Sequence, residues 1–125
     1  MTAFATLEHF DFAMENIYRP LFAGRPSNVE LKILVRSKIE AMLSPTLITD
    51  RDVMMTFDDA AAGFRWGMRF QSPQYHALFS RWFDDVWASI PDSYLIYSRN
   101  GLSPSAIDLI RKELGAVEAS AGQTA

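Results

Sequence analysis

Residues Gly63 to Trp87 read GFRWGMRFQSPQYHALFSRWFDDVW, and a change of period inside this stretch decides the fold. Phe64, Trp66, Met68 and Phe70 alternate with Arg65, Gly67, Arg69 and Gln71, the period of a strand with one apolar and one polar face. Ser72 and Pro73 suit an N-cap and a first helical position. Behind them Tyr75, Leu78, Phe79, Trp82, Phe83 and Val86 recur in steps of three and four, a helical stripe. The two apolar faces bury each other most simply by packing together as core. Arg65 and Arg69 are then left on the outer side of the strand.

Upstream of this stretch, Thr46 to Thr49 and Val53 to Phe57 are short, β-branched or apolar, and separated by Asp50, Arg51 and Asp52. They predict strand, turn and strand, with Asp58 to Gly63 as a loop. Val29 to Met42 fits two periods, an alternation at Val29, Leu31, Ile33 and Val35 and a helical stripe at Leu31, Leu34, Val35, Ile39 and Met42. Its length and its Glu, Lys and Ala content favour helix, with a strand at its beginning as the alternative. At the N-terminus, Leu7, Phe10, Met14, Ile17, Tyr18 and Leu21 predict a helix over Thr6 to Phe22 with these residues inward, despite Pro20.

Downstream, Ile90 and Pro91 end the second helix. Tyr94 to Tyr97 form a short strand, and Asn100 and Gly101 turn the chain. Ser103 and Pro104 open a last helix with Ile107, Ile110, Leu114 and Val117 inward. The expected architecture is a single α+β domain over residues 1–117, a small and mainly antiparallel sheet covered by about four helices, with 118–125 as a frayed tail.

Composition narrows the function classes. The chain has 125 residues and a net charge of −3, which argues against binding nucleic acid through a strongly basic surface. The absence of cysteine removes thiolate catalysis, disulfides and Cys-based zinc sites. No stretch has a signal-peptide pattern or the apolar length of a membrane span, so a cytoplasmic protein is expected.

No motif of established chemistry is present. His9 and His76 do not share a metal-binding spacing, and neither a metal nor a cofactor is expected. Asp84 and Asp85 are neighbours on a helix and point about 100° apart, so they form a solvated face with Arg81 within reach rather than a catalytic dyad. Arg65 and Arg69 project from one side of a strand around Gly67. The gap between them could accept a phosphate or carboxylate, or the two arginines could pair with acids from a covering helix. Trp66 falls on the opposite side, which weakens a base-stacking site.

The runs PTLITDRDVMMTF and GFRWGMRFQSPQYHALFSRWFDDVW resemble the closing part of phospholipase-D-like domains found in some bacterial transcriptional regulators. The resemblance rests on Leu47, Ile48 and Asp50, and then on Phe83, Asp84 and Trp87. The catalytic His-x-Lys-x4-Asp pattern of that superfamily is missing, because Phe10 and Asp11 follow His9 and Ala77 and Leu78 follow His76. The resemblance therefore implies a binding or regulatory shell without the phosphodiesterase nucleophile.

The leading expectation is a non-catalytic regulatory or interaction module that docks a protein partner, as a homodimer or otherwise, or senses a small anionic ligand through Arg65, Arg69 and His76. The alternatives are a small hydrolase using His76 with arginine clamps, and a DNA-binding regulator reading through the helix after Ser103.

Overall fold

The computed structural model describes residues 1–35, 46–59 and 64–123, with the backbone alone at 57–59, 64–66 and 121–123. The chain is α+β and forms two compact units, the first from Met1–Glu40 with Ile90–Ala125 and the second from Ala41–Ser89. The strands divide between two sheets, where the sequence predicts one.

Unit 1 contains β1 (Thr2–Phe4), α1 (Leu7–Ala13), a π-helical turn (Met14–Tyr18), α2 (Arg19–Phe22), β2 (Leu31–Val35), a 3-10 turn (Asp92–Tyr94), β6 (Leu95–Ser98), β7 (Gly101–Leu102) and α4 (Pro104–Gln123). Its sheet runs β1-β2-β6-β7. The β1–β2 pair is parallel and the other two are antiparallel. A parallel pair needs a long crossover, which the helical segment of residues 7–22 provides.

Thr6 caps that segment by accepting from the His9 amide at 3.2 Å. The amide of Leu7, one of the orphan donors of the first turn, donates to Glu118 Oε1 of α4 at 2.9 Å. Glu118 falls in the stretch predicted to fray, yet α4 continues to Gln123.

The first helix is helical where the sequence predicts, but its inward face differs. Arg19 N–H reaches back five residues to the Met14 carbonyl, a wide turn of the π type. This resets the phase. Phe10, Met14 and Phe22 are buried, whereas Ile17 and Leu21 are 50% and 60% exposed, because a strict 3.6-residue period no longer holds across the turn.

Residues 31–35 are a strand, β2, where the helix favoured over Val29–Met42 is expected to begin, and the rest of that predicted helix falls at 36–42, outside the described residues. Ile33 and Val35 join the main core with Phe10, Ile96, Ile110 and Leu114. On the other side of the strand Lys32 is only 3% exposed. Its ammonium donates to the Ile90 carbonyl at 2.8 Å and lies 3.4 Å from Asp92, so the buried charge is compensated. Phe22 stacks on Tyr97 with ring centroids 3.9 Å apart, and the Tyr97 hydroxyl donates to the Pro26 carbonyl at 2.5 Å.

Unit 2 contains β3 (Thr46–Ile48), β4 (Val53–Asp59), β5 (Phe64–Phe70) and α3 (Pro73–Ser89). The strands form an antiparallel sheet in sequence order, with Met55 opposite Met68 and Val53 opposite Phe70. Gly67 sits where a Cβ would come 3.1 Å from the Met55 carbonyl oxygen, so backbone approach explains this break in the apolar-polar pattern.

Candidate functional site

The turn between β3 and β4 is organised by one threonine. The Thr49 amide donates to the Asp52 carbonyl at 2.9 Å, and Thr49 Oγ1 accepts from the amides of Asp52 at 2.9 Å and Arg51 at 3.3 Å. Ser, Thr and Asp favour turns through such local bonds. His76 lies on the first turn of α3, with its Nε2 2.7 Å from the Thr49 carbonyl oxygen. A carbonyl only accepts, so this nitrogen carries the proton and donates. His76 ties the helix to the turn, and among the described residues its ring has no hydrogen bond or ion pair to a carboxylate.

Arg69 Nη2 lies 3.1 Å from Asp52 Oδ2. The hydrogen bond from Arg69 holds the Asp52 carboxyl below its ordinary pKa. The partner acid thus comes from a turn of the same sheet, not from a covering helix. The backbone register sets Arg65 opposite Asp58. Of the three predicted ligand residues, Arg69 and His76 are both engaged around the Thr49–Asp52 turn.

The larger surprise is the aromatic stretch. The sequence predicts that it is buried as core, but no residue of α3 is fully buried, and Met68, Tyr75 and Leu78 are 42%, 51% and 54% exposed. Helix geometry explains the correction. At 100° per residue the stripe from Leu78 to Phe83 is about 140° wide. The sheet takes one edge of it, with Phe70 stacked 6.3 Å from Phe79 and His76 on the turn. Leu78 stays on the opposite edge, while Tyr75 only leans on Phe70 at 5.5 Å. Arg81, Asp84 and Asp85 are exposed and form no ion pair among the described residues.

Unit 1 holds an open cleft of about 340 Å³ with Met14 and Ile107 among its lining residues. Its rim charges are largely satisfied, since Arg111 pairs with Asp11 and Arg19 with Glu15. Arg111, one of the two cations on the helix of the DNA-reader alternative, is exposed and paired with Asp11. Among the described residues no three acids or histidines are grouped to hold a metal ion, and no helix is long and apolar enough to cross a membrane.

No family model, curated protein or solved structure matches the chain. The site residues that periodicity missed are Thr49 and Asp52, although their Thr-Asp-Arg-Asp sequence carries a turn signal.

Proposed function

We propose that the chain is a non-catalytic interaction module whose α3 docks an apolar helix of a protein partner, and that the partner is a second copy of the chain. One observation carries this reading: α3 presents large apolar side chains but buries none of them fully. Tyr75, Leu78 and Trp82 follow one another at steps of three and four, a seam of the width that helix pairs use. Exposed apolar surface of this kind marks interaction sites.

The seam suits self-pairing. Two copies laid antiparallel about a twofold axis near Leu78 bring Tyr75 of each against Trp82 of the other. Asp84 and Asp85 then lie at opposite ends of the pair, where the like charges of the two copies stay apart.

Sedimentation velocity across a dilution series tests the reading. The native chain is expected to pass from dimer to monomer on dilution, and Leu78→Asp is expected to remain monomeric while keeping its circular dichroism spectrum. A native chain that is monomeric throughout, or a Leu78→Asp dimer of unchanged affinity, overturns it.

A further inference from the structure

We infer that unit 1 carries an anion site of the phosphate class on the β6–β7 hairpin, built from Arg25 and Arg99. This site is separate from the strand arginines to which the sequence points. Arg25 is the one non-glycine with positive φ among the described residues, at 50°. Gly24, which adopts such a conformation without cost, stands one position earlier and has open space around it. Arg25 also precedes Pro26, a further restriction on its backbone. The strain is held by two anchors: the Arg25 amide donates to the Phe22 carbonyl at 3.0 Å, and the Tyr97 hydroxyl donates to Pro26.

The strained backbone aims the side chain at the hairpin. Arg25 Nη2 lies 3.4 Å from the position a Cβ on Gly101 would occupy. Gly101 itself has φ of 95°, so a glycine closes the turn, and the Arg25 guanidinium rests at contact distance from it. Arg99 is on the same hairpin, in the two-residue turn between Ser98 and Gly101, which are register partners. Both arginines are exposed, and neither side chain has a hydrogen bond or ion pair among the described residues. Glu30 precedes β2, whose Leu31 pairs with Tyr97, yet it forms no ion pair with them. Arg25, whose guanidinium is held against the turn by a strained and anchored backbone, together with Arg99 within that turn supplies two uncompensated cations to a receptor for a tetrahedral oxyanion.

Titration with inorganic phosphate and with phenyl phosphate at constant ionic strength, followed by calorimetry, tests the site and separates a free ion from a monoester. Binding of either ligand is expected in the native chain. Arg25→Gly and Arg99→Ala should each weaken that binding by about tenfold, the loss of one charge-assisted contact. Arg25→Gly should also keep or raise the thermal midpoint, because glycine relieves the backbone strain. Absence of binding for both ligands, or full affinity in both variants, overturns the proposal.

Discussion

The two units spend similar apolar side chains to opposite effect. In unit 1 the helices and the central strands meet in one dry cluster, in which Phe10, Ile33, Ile96, Ile110 and Leu114 have no exposure. In unit 2, Val53 and Met55 are buried, while α3 lies on its sheet with every side chain at least partly exposed. The difference is one of layers: β2 is buried on both faces, whereas the three strands of unit 2 cover only one edge of the stripe on α3. Apolar content and burial are therefore separate quantities. The surplus between them is the surface that the proposed self-pairing through α3 uses.

The same substitution in the two units gives the widest separation. Leu114→Ala should cost about 2–5 kcal/mol by equilibrium denaturation, since it opens a cavity in a closed core. Leu78→Ala, at a side chain that is 54% exposed, should fall at the opposite end of the scale. A His76→Ala variant removes the bond between α3 and the Thr49 carbonyl and should cost about 1 kcal/mol. An equal loss at Leu114 and His76 would mean that unit 2 is as tightly closed as unit 1.

Smaller effects sharpen the contrast. Glu118→Ala removes the acceptor for the Leu7 amide, and a loss of about 0.5 kcal/mol is expected, measured as a shift in denaturation midpoint. Leu78→Ala in the monomer should stay within about 0.5 kcal/mol of the native chain; a larger loss would show that the outer edge of α3 is core after all. The least effect should come from Asp52→Asn. Because the folded carboxyl titrates below its ordinary value of 3.8, its contribution is present above that value and is lost as pH falls through the lowered folded pKa. Native and Asp52→Asn chains should therefore converge in stability at strongly acid pH, with the native chain the more stable near neutrality.

Local pattern made much of this fold legible. Alternation located β5, a short β-branched and apolar run located β4, and the Ser72-Pro73 and Ser103-Pro104 pairs marked the starts of α3 and α4, because capping chemistry is local. Lys32 misled for a nonlocal reason: its charge suggests a solvated helix, and only Ile90 and Asp92, far along the chain, make it a buried strand residue. Tyr75 and Leu78 misled differently. Periodicity shows which side of a helix is apolar, but it contains no information on the width of what lies against that side. Arg25 left no signal at all, since Gly24 beside it was the natural candidate for a left-handed backbone.

The π turn has a consequence for how this helix can change in length. Phe10, Met14, Tyr18 and Phe22 are spaced by fours, and in an unbroken α-helix each such step would rotate the next ring by about 40° away from the last. A turn that holds more residues takes up this drift, so all four can face the same sheet. Insertions and deletions are accordingly not equivalent along the segment. Removing one residue from Met14–Tyr18 would make the backbone more regular, yet it would turn every ring beyond it out of alignment. The irregular turn is the condition for a regular contact.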